Sequence, residues 1–318
     1  MTPTLSNRLY PWGCMAVVLG CVLWLVTHLQ VGEQLGQFWQ RHTLAEPIRQ
    51  RSIWLGQYRF VERLQLPGIE ANASDIVHVA ERQRYYVLVN NPAGLFEYSE
   101  SFQLMARYDL PGFEDPEALS YDGNGHLLIA EERRQTVVRL AIKQLSEPIV
   151  RAALPAFELG ERADNNRGVE GIAFDPDSAV LFASQEKQPM RLFEVVDGIP
   201  TADTPSRRLP RTQVSALVLW RLRLSDISAL HYDLQTRHLL VLSHESKRLV
   251  EVDSGYAPLS YLDLQRGLHG LDESVPQAEG VTLGPGRQIL VVSEPNLLYR
   301  YVAEQEPYQR ARLPSAGQ

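Results

Sequence analysis

The stretch Gly168–Lys187 reads GVEGIAFDPDSAVLFASQEK. Asp175-Pro176-Asp177 has the composition of a hairpin-closing turn, and the apolar runs on either side have the composition of strands. Glu170 stands at the head of the first run, and Glu186-Lys187 closes the second. Charge therefore brackets a hairpin otherwise suited to burial.

Four further stretches repeat the pattern: ASDIVHVAERQRYYVLVNN from Ala73, PEALSYDGNGHLLIAEE from Pro116, ISALHYDLQTRHLLVLSHE from Ile227 and AEGVTLGPGRQILVVSE from Ala278. Aligned on the residue that leads each first strand, they give Ser74, Glu117, Glu170, Ser228 and Glu279, spaced 43, 53, 58 and 51 residues apart. The second strands, rich in Val, Leu and Ile, suit burial on both faces. Third strands follow at Gly94–Tyr98, Val137–Ile142, Arg191–Val196, Arg248–Asp253 and Leu297–Val302, and weaker fourth strands at places such as Leu104–Leu110 and Ser260–Leu264. Four strands in every ~40–50 residues is the period of a propeller blade. The expected fold is all-β: a β-propeller of five four-stranded blades, with room for a sixth of eroded pattern. Tyr58–Leu66 is placed to supply the outer strand of the last blade and close the ring.

In such a blade the first strand lies innermost and the second runs back beside it. The start of one and the end of the other reach the same end of the central channel. One column of candidate residues is therefore Glu117, Glu170 and Glu279, with Ser74 and Ser228 in the other two blades. A second column holds Glu131 or Glu132, Glu186, His244 or Glu245, and Glu294, with Asn90 and Asn91 in the first blade. Carboxylates this close repel unless protonated, separated by water or bound to a cation. An all-oxygen set favours a hard ion, Ca²⁺ first and Mg²⁺ as the alternative. Lys187, Arg133 and Lys247 are candidates to neutralise the second column by ion pairing, and the first-column glutamates also have the plainer option of accepting backbone N–H bonds.

Other chemistries find little support. A net charge of -7, with the basic run Arg207, Arg208 and Arg211 broken by prolines, gives no basic surface for nucleic acid. The sequence contains no H-E-x-x-H zinc spacing, G-x-S-x-G elbow or P-loop. Ser243-His244-Glu245-Ser246 resembles a hydrolytic cluster, but neighbouring strand residues point to opposite faces. The only cysteines, Cys14 and Cys21, lie in the N-terminal apolar segment.

That segment, Trp12–Thr27, is 16 residues without a charge. It is at the short end of a membrane span, with Tyr10, Trp12 and Trp24 as interface residues. Arg8 precedes it and no Lys or Arg follows until Arg41, which favours an N-terminus inside and export of the rest. No A-x-A cleavage site follows, so an uncleaved transmembrane helix is favoured over a signal peptide. The expected organisation is a cytoplasmic tip and anchor over 1–30, a juxtamembrane linker over 31–56 and the propeller over 57–318.

Asn166-Arg167-Gly168-Val169-Glu170-Gly171, Glu186-Lys187-Gln188-Pro189, Leu240–Ser246, Gln277-Ala278-Glu279-Gly280 and Val292-Ser293-Glu294-Pro295-Asn296 together resemble the SdiA-regulated (YjiK-like) family of bacterial β-propeller proteins. Gln188, where that family more often has Asn, and Glu131-Glu132-Arg133, in place of an Asp-Glu-Arg version, are mild departures. The resemblance implies a propeller tethered to the bacterial inner membrane and facing the periplasm, and its last motif adds Asn296 to the secondary candidates. The expected function is binding of a divalent cation and an unidentified small-molecule or protein ligand at the acidic mouth. A calcium-dependent hydrolase of phosphoesters or lactones, with Glu170 or Glu186 as base, and a scaffold without catalysis are the rivals.

Overall fold

The computed structural model describes residues 50–146, 148–160, 168–186, 189–196 and 210–304, with single positions at 15, 17, 20 and 48. The chain divides into two compact units, 1–50 and 51–318, the second of which holds the propeller. The membrane helix expected over 12–27 lies outside the described residues, apart from the helical positions Met15, Val17 and Gly20. Among the described residues no helix is long and apolar enough to cross a membrane.

Among the described residues, twenty strands form five antiparallel four-stranded sheets. Blade I is β2 (Ala73–Val79), β3 (Arg84–Asn90), β4 (Ala93–Ser99) and β5 (Leu104–Asp109). Blade II is β6 (Pro116–Tyr121), β7 (His126–Glu131), β8 (Thr136–Ala141) and β9 (Ala156–Glu158). Blade III is β10 (Val169–Asp175), β11 (Val180–Gln185), β12 (Arg191–Val195) and β13 (Arg211–Gln213). Blade IV is β14 (Ala229–Asp233), β15 (His238–Ser243), β16 (Arg248–Val252) and β17 (Pro258–Asp263). Blade V takes β18 (Gln277–Leu283), β19 (Ile289–Glu294) and β20 (Leu297–Ala303) from the C-terminal side, and β1 (Tyr58–Gln65) from the N-terminal side. Tyr58 pairs with Ala303 and Gln65 with Leu297, so the ring is closed by the first strand as the repeat pattern predicts. No sixth blade is present among the described residues.

The alternation of strand side chains explains how the ring holds together. Leu127 and Ile129 pack toward blade I in a cluster with Leu88 and Leu95, while Leu128 and Ala130 pack toward blade III with Ile172 and Leu181. The other three blade boundaries have clusters of their own. Each middle strand is thus apolar on both faces because both face a neighbouring blade. At roughly 1.5–3 kcal/mol for each buried Leu, Ile or Val, these interfaces supply the main stabilisation of the ring.

The inner hairpins are closed by an aspartate at the end of the first strand. Asp122 Oδ1 accepts the N–H groups of Asn124 and His126 at 2.7 and 3.0 Å, and Asp175 Oδ1 accepts Asp177 N–H at 3.0 Å. Asp233 does the same for Gln235 and Thr236 at 3.3 and 3.2 Å. A short side-chain acceptor that satisfies turn N–H groups fixes the hairpin register.

The chain enters blade V through Ile53, Trp54 and Leu55, all buried. They are anchored on Glu251 of β16, which is fully buried and accepts Ser52 Oγ at 2.6 Å, Ile53 N–H at 2.7 Å and Trp54 N–H at 3.1 Å. Residues 52–56, expected from sequence as the end of the juxtamembrane linker, are packed into the propeller.

Candidate functional site

The first-column residues share a backbone feature. Between β10 and β11 the pairing steps from Val169–Gln185 to Gly171–Ser184, leaving Glu170 as an extra residue in the inner strand. Ser74, Glu117 and Glu279 are skipped in the same way in blades I, II and V. In blade IV Ser228 N–H bonds Leu242 O at 3.0 Å while Ala229 pairs with that same Leu242, so Ser228 takes the equivalent place. A bulge bends the strand and re-aims a side chain. Repeated around the ring, it delivers these side chains to one end of the channel.

There Ser74, Glu117, Glu170 and Glu279 line a polar cavity of about 490 Å³, whereas the buried Ser228 hydroxyl donates to the Ala278 carbonyl at 2.8 Å and is not part of its wall. Its walls carry six carboxyl groups, from Asp115, Glu117, Glu170, Glu186, Glu279 and Glu294. Ser74, Asn90 and Gln277 add neutral donors and acceptors, and His244 is the basic side chain among the described lining residues. Glu132 lies against this set: one oxygen each from Asp115, Glu117 and Glu132 falls within 4.8 Å of the other two.

Individual contacts fix the carboxyls. Asn90 Nδ2 donates to Glu117 Oε1 at 2.7 Å, and Ser74 also hydrogen-bonds Glu117. The Asn90 carbonyl oxygen is buried without a hydrogen-bond partner. Gly168 N–H donates to Glu132 Oε1 at 3.0 Å. Only glycine permits that approach, since a Cβ at 168 would stand 2.4 Å from the Glu132 carbonyl oxygen. Glu132 also accepts a hydrogen bond from the Glu170 carboxyl. Asp115 Oδ2 pairs with Arg133 at 2.9 Å, and Glu279 with His244 Nδ1 at 3.5 Å.

Crowding shows in the protonation equilibria. Burial, reinforced by Asp115 and Glu132 but opposed by the Asn90 bond, pushes Glu117 up to about 8. Burial and then the charges of Glu117, Glu132, Glu186 and Glu279 drive Glu170 well above the usual carboxyl range. Glu132 and Glu294 are raised, chiefly by burial. The hydrogen bond to Glu279 raises His244. Burial and mutual repulsion thus favour the protonated forms of these acids, which outnumber the basic groups beside them among the described residues.

Of the candidates read from sequence, Glu117, Glu170, Glu279, Glu186, Glu294 and His244 converge on the cavity, with Glu132 beside them. Glu131 does not. Its carboxylate is fully buried in a structural network, accepting Arg151 Nε at 2.6 Å, Thr136 Oγ1 at 2.7 Å and Glu114 N–H at 3.1 Å. Asn296 is buried too, donating to Ile69 O at 2.5 Å to hold the passage from blade V into blade I. The Glu245 side chain is exposed, and its N–H bonds Asp226. Ser243 donates to the same aspartate, so the Ser243–Ser246 turn is a capped loop and not a nucleophile site. Lys247 donates to the Pro276 carbonyl, and Lys187 lies outside the described residues.

Sequence reasoning missed Asp115 and Gln277, each two residues ahead of a bulge glutamate. The spacing was visible, but the αL backbone at Asp115 (φ 54°) that brings it to the cavity was not. It also missed Asp75, whose carboxylate bridges three blades. Asp75 accepts Ile76 N–H in its own blade at 2.7 Å, Leu119 N–H in blade II at 2.7 Å and Val281 N–H in blade V.

Five blades around a channel with one carboxyl-lined mouth define an acidic-channel β-propeller. A profile of the SdiA-regulated family matches residues 50–302, and the chain belongs to that family. Similar solved structures include a streptogramin B lyase, with a TM-score of 0.43 and 10% identity over 76% of this chain and 68% of that one. A catalytically inactive virginiamycin B lyase from Staphylococcus aureus, solved with quinupristin, gives 0.42 and 12% over 75% and 69%. A gluconolactonase from Xanthomonas campestris gives 0.47 and 12% over 79% and 91%.

Proposed function

We propose that the acidic mouth binds a divalent cation, Ca²⁺ before Mg²⁺, and with it an unidentified ligand, in a propeller anchored in the bacterial inner membrane and exposed to the periplasm. The observation that carries the reading is the convergence of Asp115, Glu117 and Glu132 within 4.8 Å beside a buried, unpartnered Asn90 carbonyl oxygen. All of these donors are oxygens, which suits a hard cation. Asp115, Glu117 and Glu132 would hold the ion directly. A bound cation would supply the positive charge that the raised carboxyls lack, and Glu170, hydrogen-bonded to Glu132, would then release its proton. The uncharged N-terminal run and its flanking basic residue support the anchor.

The test is thermal unfolding of the full chain with EDTA and then Ca²⁺, Mg²⁺ or Mn²⁺, repeated for Glu117→Gln and Glu170→Gln. The reading requires a rise in melting temperature with metal that Glu117→Gln abolishes. An identical melting curve in every metal would leave the carboxyls a structural role and the protein a scaffold.

Glu170 and Glu186 line the same cavity as the three-carboxylate cluster, and this favours a second reading, a metal-dependent hydrolase in which one of them is the base. Turnover of phosphoester or lactone substrates by the metal-loaded chain, lost in Glu170→Gln or Glu186→Gln, would establish it. Absence of turnover with intact metal binding favours ligand binding alone.

A further inference from the structure

At the end of the propeller opposite the acidic mouth, blades III and IV part around a cavity of about 200 Å³. Three aromatic side chains wall it: Phe182 from β11, Tyr232 from β14 and Tyr256 from the turn between β16 and β17. Phe182 and Tyr232 are stacked, with ring centroids 5.6 Å apart and planes 18° from parallel. All three are half-buried, so they pack on the interface core while keeping ring surface open to the cavity.

Three carboxylates share that wall: Asp175, Glu194 and Asp253. Each is held in place. Asp175 accepts the turn N–H of Asp177 at 3.0 Å, and Asp253 accepts Gly255 and Ala257 N–H at 2.9 Å each. Glu194 accepts the Tyr256 hydroxyl, which also fixes the Tyr256 ring. Among the described residues the one cationic side chain of the lining is Arg237, which directs its guanidinium to Asp177 at 3.2 Å, with its side chain 71% exposed. The cavity is thus acidic, aromatic and preorganised.

We infer that this inter-blade cavity is a binding site for a small organic cation of the alkylated-ammonium class, seated against Phe182, Tyr232 and Tyr256 and neutralised by Glu194 and Asp253. Ring faces attract such cations electrostatically and retain their apolar contact with alkyl groups that a bare metal ion would lack. The size fits a compact ligand, since pockets for drug-sized molecules begin at about 300 Å³. An anion is disfavoured by the carboxylates, and a neutral molecule would leave them uncompensated. The site is independent of the acidic mouth and of any metal bound there.

Choline and its uncharged isostere 3,3-dimethylbutan-1-ol are the probes, titrated by calorimetry into the full chain in maltoside micelles, which carry no ammonium headgroup. Choline should bind about tenfold more tightly than the isostere or better. Glu194→Gln, which keeps an acceptor for the Tyr256 hydroxyl, and Tyr256→Leu should each weaken choline about fivefold or more while the chain still unfolds cooperatively. Equal affinity for the two probes, or no choline binding in the millimolar range, would overturn the assignment. So would choline binding that survives both of these substitutions and is lost in Glu117→Gln, because the cation would then sit in the mouth.

Discussion

Asn90 of blade I donates its amide N–H to Glu117 of blade II at 2.7 Å, and the other end of the same amide, its carbonyl oxygen, is buried without a donor. One side chain thus satisfies a carboxyl that needs charge compensation and presents an oxygen that needs a partner. A cation beside Glu117 meets both needs, and proton uptake by Glu117 meets only the first.

This makes the pH dependence of stability a test of the mouth. The folded-state pKa of Glu117, about 8, lies above its ordinary value of 4.5, so folding takes up a proton between those values. Metal-free stability should therefore fall as pH rises from about 4.5 to about 8. Melting temperatures in EDTA should decline across that window, and Glu117→Gln should flatten the decline. Saturating Ca²⁺ should also flatten it, by compensating the ionised form.

Gly280→Ala tests how closely the inner strands must approach. A Cβ there would stand 2.7 Å from Asp75 Cα and 2.9 Å from Ile76 N, both backbone atoms of the neighbouring blade. Neither yields without moving a strand, so a loss of about 1–3 kcal/mol is expected in urea unfolding. Since Asp75 also bonds blade II through Leu119, strain at this point passes to a second interface.

The blades were legible because their signals are local: turn residues, strand composition and a period repeated five times. The mouth was legible in outline for the same reason, since a bulge residue heads each repeat. What could not be read depends on contacts between repeats. Asp75 resembles any polar residue near a strand start, and its meaning comes from Leu119 and Val281 in other blades. Glu251 lies mid-strand in blade IV, but its partners Ser52, Ile53 and Trp54 lie some 200 residues earlier. Nor does Phe182 announce that Tyr232 and Tyr256 will face the same cavity.

The Glu251 clasp gives a second titration of opposite sign. His238, Ser260, Ser52 and the Ile53 N–H hold its carboxylate and lower its pKa against the cost of burial. Its stabilising contribution is therefore complete above the ordinary carboxyl range and is lost as pH falls through the lowered value. Ile53 N–H and Trp54 N–H bond different oxygens of Glu251, so Glu251→Gln would set an amide donor against one of the two. It should cost about 2–4 kcal/mol in urea unfolding. Limited proteolysis near residue 52 should become faster, as the entry segment comes away from blade IV.

Glu131 and Glu132 are neighbours in sequence, and the structure sends them to opposite sides of a strand end. Glu131 compensates Arg151 and Arg134 in a buried network, with its carboxylate oxygens taken up by Arg151, Thr136 and Glu114. Glu131→Gln leaves the Arg151 guanidinium short of a counter-charge, while Arg134 keeps Glu114 at 2.8 Å, and should destabilise the chain by about 3 kcal/mol. Metal affinity per folded molecule should change little. Glu132 instead joins Asp115, Glu117 and Glu170 in a group with too much negative charge. Glu132→Gln removes one charge and keeps an oxygen for the Gly168 N–H. Metal-free stability near neutral pH should therefore hold or rise, while Ca²⁺ binding weakens about tenfold or more, as expected when one of three charged ligands is lost. Calorimetric titration of Ca²⁺ beside EDTA melting of both variants separates the two effects. If Glu132→Gln destabilises the metal-free chain as much as Glu131→Gln and leaves Ca²⁺ affinity intact, the cluster is structural and the proposed cation site is lost.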